Sequence, residues 1–107
     1  YPGLIDHPGH DIARRQRSDF GGMLSFEGKG GREAGAKLVN ALHLITVAVS
    51  LGDAETLIEH PASMTHSTYS EEELAASGIA AGLIRLSAGL ENAEDIIADL
   101  KQALAQL

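Results

Sequence analysis

One arginine and one irregular stretch hold the residue types in this sequence most able to do chemistry. Arg85 lies inside LIRLSA (residues 83–88), a mostly apolar run that reads as a strand. Alternation along it puts Ile84, Leu86 and Ala88 on one face and Leu83, Arg85 and Ser87 on the other. A guanidinium between apolar neighbours is costly to desolvate unless an anion meets it, and its planar fork suits a carboxylate. Glu55, Glu59 and Glu91 are acids that could supply an internal ion pair, and a carboxylate from outside the chain is the alternative. Spacing slightly favours the internal pair and leaves both open.

The irregular stretch is SLGDAETLIEHPASMTHS, residues 50–67. It is too rich in Gly, Asp, Pro, Ser and Thr for one regular element. Two extended pieces, 55–59 and 62–66, are expected on either side of His60-Pro61, because proline pushes its predecessor toward extended geometry. Loops of this composition often carry function on a rigid scaffold. Other combinations signal less. His7/His10 and His60/His66 are weak as metal pairs, since exposed or hydrogen-bonded histidines are far commoner. Ser50, Asp53 and His60 make a triad on paper only, without a nucleophile elbow.

The remaining elements must position these groups. A helix is expected from Asp6 or His7 to about Arg17, with Pro8 in its first turn and Arg14, Arg15 and Arg17 near its C-terminal end. MLSFE (23–27) alternates as a strand with one buried face. The turn Gly28-Lys29-Gly30-Gly31 lacks both the dinucleotide fingerprint and the P-loop pattern. A helix over 32–43 shows Ala34, Leu38, Ala41, Leu42 and Ile45 at helical spacing, and residues 44–49 form a second strand. Ser70 and Glu73 form a capping box for a short helix ending near Gly78, and Asn92 caps a last helix. Ile96, Ile97, Leu100, Ala103, Leu104 and Leu107 give that helix an apolar stripe. The order predicts an α/β fold: a small two-layer sandwich, its sheet mostly antiparallel, with helices on one face.

Bulk properties narrow the field. With 107 residues, 44% hydrophobic and 21% charged, the chain reads as a single domain with room for a modest core. A net charge of −7 argues against nucleic acid and anionic membrane as partners. The absence of cysteine excludes thiol chemistry and makes a cytoplasmic setting the expectation. Low aromatic content, 4%, and a start at Tyr1 lean toward a piece of a longer protein.

YPGL, RRQ, FGGMLSFE-GKGG, SLGDAETLIEHPASMTHS and LIRLSAGLE occur in that order. Over essentially the whole chain, 1–107, the sequence resembles the C-terminal domain of pyridoxal-phosphate enzymes of Cys/Met metabolism. That resemblance implies the small domain of an aspartate-aminotransferase-like fold. It implies that Arg85 binds the α-carboxylate of an amino-acid substrate, that Ser50 and Leu51 help to hold it, and that Thr65 lies nearby. It also implies that the pyridoxal 5'-phosphate and its lysine belong to a large domain outside this chain, so no catalytic residue is expected here. The complete enzyme is expected to form homotetramers. Val49 precedes the serine where cystathionine-handling relatives tend to carry a glutamate, which favours a substrate with an apolar or neutral distal group. γ-Elimination of a methionine-like substrate is then expected, with γ-replacement as the alternative. A free-standing interaction or oligomerisation domain is the alternative of another kind.

Overall fold

Four strands and four helices account for the regular structure of the computed structural model, which describes residues 1–107. β1 (Met23–Glu27) alternates in exposure as its sequence predicts, with Leu24 and Phe26 turned inward. β4 (Leu83–Ser87) pairs antiparallel with β1, setting Leu24 opposite Leu86 and Phe26 opposite Ile84. β3 (Leu57–Glu59) lies antiparallel along the other side of β4, and β2 (Thr46–Val47) runs parallel to β3 at the edge. The resulting order is β1-β4-β3-β2.

The helical layer covers one face of this sheet. α2 (Gly31–Asn40) and α4 (Ala93–Leu104) bring Leu38, Val39, Ile96 and Ala103 onto Ile45, Ile58, Ile84 and Leu86. Burying the leucine, isoleucine and valine side chains among these contributes roughly 1.5–3 kcal/mol each, which makes this seam the centre of stability. The expected two-layer α/β architecture is therefore present, with one parallel pair in an otherwise antiparallel sheet. No helix is long and apolar enough to cross a membrane.

Several boundaries differ from expectation, each for a local reason. α1 (His10–Gln16) starts later than residue 6 or 7, because residues 1–9 form successive turns and the His7 ring accepts the Gly9 amide at 2.9 Å. α2 stops at Asn40, short of residue 43, and β2 begins only at Thr46. Between them the Asp99 carboxylate takes the amides of His43, Leu44 and Ile45 at 2.9, 2.8 and 2.8 Å, which removes them from helix and sheet ladder alike. Residues 55–56 stay outside β3, whose three residues are all buried. The predicted extended piece at 62–66 is absent: Pro61–Ser63 is a 3-10 turn with Pro61 in its first position. Proline's fixed φ suits that first position, and His60 before it is extended, as its sequence context requires. The apolar stripe of α4 is only half used. Ile96 and Ala103 are buried and Leu100 packs against the core, whereas Ile97, Leu104 and Leu107 stay about half exposed.

The ends of α3 (Glu71–Ala76) follow the sequence closely. Ser70 Oγ accepts from the Glu73 amide while the Glu73 carboxylate accepts from the Ser70 amide. Gly78, with φ +74°, closes the other end, where the Gly78 amide donates to Ala75 and the Ile79 amide to Leu74.

His60 links the two layers. It is fully buried, with Nδ1 2.7 Å from Ser63 Oγ and Nε2 2.7 Å from the Ala81 carbonyl. Gly35 of α2 packs flat against its ring, and a Cβ there would stand 2.6 Å from His60 Cδ2. Gly35→Ala is expected to destabilise the fold by about 3 kcal/mol, the upper end of overpacking costs. Faster amide hydrogen exchange across α2 and the Pro61–Ser63 turn is the measurement that checks it.

Candidate functional site

The open face of the sheet carries the polar side chains. A parallel pair cannot be closed by a hairpin, so the chain leaving β2 must travel back before entering β3. Residues 48–56 make that return, and strand order carries them from the sheet edge over Glu59 to β4. The loop is held down by side chains of β4 itself. Ser87 Oγ accepts the Gly52 amide at 2.8 Å, and Arg85 Nη2 donates to the carbonyls of Val49 and Ser50 at 3.0 and 3.1 Å. The sequence placed Arg85 and Ser87 on one face, and both grip the same loop.

Arg85 has an internal anion, one of the two partners its sequence context left open. Register places Glu59 directly opposite Arg85, and Glu59 Oε2 lies 3.1 Å from Arg85 Nη2. Of the three acids the sequence offered, Glu59 is the partner. The two carbonyl acceptors and the Glu59 ion pair all fall on Nη2, so Nε and Nη1 hold donors with no acceptor in the chain. The Arg85 side chain retains 26% of its exposure. Ser50 and Leu51 are exposed beside it, and their amides and the Ser50 hydroxyl donate to nothing in the chain. The arrangement can receive a carboxylate through unused N–H and O–H donors around one cation.

The far end of the loop is fixed by residues that sequence reasoning passed over. Glu91 accepts the Thr56 amide at 2.5 Å and the Thr56 hydroxyl, while Thr56 Oγ1 accepts the Gly89 amide at 2.8 Å. The Thr56 hydroxyl and amide hold the Glu91 carboxyl below the usual carboxylate range. The Leu90 amide donates to the Ala54 carbonyl at 2.8 Å. Glu91 appeared in the sequence only as a candidate partner for Arg85, and the signal for its actual role is the threonine at the mouth of β3.

Thr65 stands apart. It is exposed in the turns after Pro61–Ser63, and its hydroxyl lies 2.8 Å from His66 Nδ1, with no hydrogen bond to Arg85. Arg32 from α2 fixes this segment, donating to the carbonyls of Ala62 and Tyr69 and pairing with Glu71 at 3.2 Å. The Ser50/Asp53/His60 triad does not assemble, because both His60 nitrogens are engaged and Asp53 caps the Ala54 amide. Neither histidine pair belongs to a metal cluster: His7 takes the Gly9 amide, His10 Nδ1 meets the Pro2 carbonyl, and no group of three potential ligands exists.

Lys29, Lys37 and Lys101 are all exposed, the last two on α2 and α4 of the helical layer. A lysine that forms a Schiff base must stand beside the bound amino acid, and none of these lies at the Arg85 face. The residues present do not fit a pyridoxal-phosphate site.

Comparison with known proteins places these features in a family. The family model for Cys/Met metabolism PLP-dependent enzymes matches residues 1–105. The chain is 65% identical over 107 residues to an L-methionine gamma-lyase of Fusobacterium nucleatum, covering all of this chain and 27% of that protein. It is 44% identical over 107 residues to an O-succinylhomoserine sulfhydrylase of Pseudomonas aeruginosa, covering 100% of this chain and 27% of the relative. The crystal structure of cystathionine gamma synthase from Xanthomonas oryzae in complex with cystathionine superposes with a TM-score of 0.86 at 51% identity, covering 99% of this chain and 27% of that one. The chain thus spans about a quarter of the length of the relatives it matches. Over that span the match is continuous, and the chain belongs to the family of Cys/Met metabolism PLP-dependent enzymes.

Proposed function

We propose that this chain is the substrate-carboxylate-binding portion of a pyridoxal-phosphate enzyme that removes the γ-substituent of a methionine-like amino acid. One observation carries it: Arg85 is held on the sheet by Nη2 alone, with its other donors free beside the unpaired amides of Ser50 and Leu51. A carboxylate received there is fixed in position, and the rest of the substrate extends toward the remainder of the protein. The cofactor, when bound by that remainder, supplies the electron sink that makes the substrate's carbon–hydrogen bonds acidic. This chain's part is to hold and orient. Ser50, Leu51 and Arg85 form the clamp, and Thr65 joins it once the remainder of the protein completes the site.

Val49 supports the preference for a neutral distal group. Its side chain is 56% exposed at the head of the loop, and its carbonyl is tied to Arg85, so the residue borders the clamp. A carboxylate at this position would draw a distal ammonium, and an apolar valine offers none of that attraction. The greater identity to a methionine lyase than to a sulfhydrylase points the same way. The 51% identity to a cystathionine γ-synthase makes γ-replacement the second reading. Net charge argues against nucleic-acid and anionic-membrane partners, and the lack of cysteine suits a cytoplasmic setting. Membership of the family carries the expectation of a homo-oligomer.

The test is to incubate the full-length protein with methionine, with cystathionine, and with an O-acyl-homoserine plus sulfide. A thiol and a 2-oxo acid released from methionine at the highest kcat/KM is the expected result. A thioether or thiol amino acid formed preferentially from the acylated homoserine decides for γ-replacement.

A further inference from the structure

The ion pair that occupies Arg85 is unusual in its economy. Glu59 is 2% exposed, one of its carboxylate oxygens meets Arg85 Nη2, and the other, Oε1, is buried with no hydrogen-bond partner at all. A buried carboxylate with an unpaired oxygen is a burden on stability, so packing alone gives no reason for an acid there. Its position gives one. The other two acceptors of Nη2 are carbonyls of the irregular 48–56 loop, which lies outside the sheet. Glu59 belongs to β3, paired on both sides within the sheet, and stands directly across from Arg85. It is the one contact that ties the guanidinium to the sheet itself.

We propose that Glu59 is a positioning residue: it pins Arg85 Nη2 to the sheet, so that the Nε and Nη1 donors are presented in one fixed orientation to an incoming carboxylate. This rests on the assignment of Arg85 as the carboxylate clamp. Without Glu59 the guanidinium is held by the two loop carbonyls alone, and a substrate must spend part of its binding free energy ordering a long side chain. The loss appears in binding and leaves the chemical step nearly untouched.

Glu59→Gln is the informative variant. The amide oxygen replaces Oε2 as acceptor, the NH2 falls where Oε1 already lacks a partner, and volume is conserved, so the fold is retained while the charge-assisted hold is lost. In the full-length holoenzyme, Glu59→Gln is expected to raise KM for the amino acid and the inhibition constant of acetate by about 10-fold each, with kcat within about 3-fold. In an Arg85→Lys background the same change is expected to move KM by less than about 2-fold, because the orientation it maintains no longer exists. An unchanged KM overturns the proposal. A lowered KM also overturns it, since that would mark Glu59 as a charge that merely offsets the guanidinium. An equal rise in both backgrounds overturns it by showing that Glu59 acts through the fold alone. If Arg85→Lys by itself leaves KM untouched, the clamp assignment fails, and the role of Glu59 fails with it.

Discussion

Replacing Arg85 by alanine in the full-length protein is expected to lower kcat/KM for the amino acid by about 10²- to 10⁴-fold while the cofactor stays bound. Hydrogen bonds to charged groups contribute about 1.5–3 kcal/mol each, and losing two corresponds to that range at 1.36 kcal/mol per factor of ten. The cofactor absorption band, unchanged in the variant, is the control. The substitution has a second consequence, because Glu59 Oε2 has Arg85 as its partner and Oε1 has none. Removing the arginine leaves a buried, unpaired carboxylate. Arg85 is about a quarter exposed, so solvent reduces the cost to about 2–3 kcal/mol, below that of a fully buried pair. Arg85→Ala combined with Glu59→Gln is therefore expected to be more stable than Arg85→Ala alone and equally impaired in kcat/KM. Recovery of activity along with stability in the double variant would refute the clamp.

Asp99→Ala is expected to be the most damaging change outside the clamp, costing about 3–4 kcal/mol. Three consecutive amides, those of His43, Leu44 and Ile45, converge on this one carboxylate, and Gln102 Nε2 donates to it at 3.0 Å. Each amide stranded without an acceptor costs about 1–3 kcal/mol, moderated where water can reach it. Amide hydrogen exchange at 43–45 should accelerate first, because these groups lose protection directly. The pH dependence follows from the same bonds. Burial pushes the Asp99 carboxyl up, but the amides of Ile45, His43 and Leu44 and the Gln102 side chain outweigh it and hold the group below the usual carboxylate range. The native state therefore releases this proton more readily than the unfolded chain. Its stabilisation is complete above the ordinary aspartate value of about 3.9 and is lost as pH falls through the folded value. Asp99→Asn should show a stability deficit that is widest above about pH 4 and narrows in more acidic solution. A deficit independent of pH would show that charge plays no part.

Local physics made much of this fold legible. The alternation of MLSFE and LIRLS is a backbone property and survived into β1 and β4 intact. The capping box of Ser70 and Glu73, the glycine after α3 and the Asn92 cap are contacts within a few residues, and each formed as its spacing requires. Where expectation failed, a distant residue intervened. β2 is shortened because Asp99 takes amides from a turn more than fifty residues earlier. The 62–66 segment curls because Pro61 begins a 3-10 turn and Arg32 draws the Ala62 and Tyr69 carbonyls toward α2.

The clamp divides along the same line. Sequence by itself determined that Arg85 and Ser87 share a face, that the loop beginning at Ser50 is irregular, and that an anion must meet the guanidinium, because period-two alternation and the cost of desolvating charge need no partner strand. Only the tertiary structure decided which anion that is and what remains free. Antiparallel register sets Glu59 against Arg85, and the parallel β2–β3 connection brings the Val49 and Ser50 carbonyls onto the same nitrogen. Both depend on which strands lie side by side, a long-range outcome of packing the helical layer that no local spacing encodes.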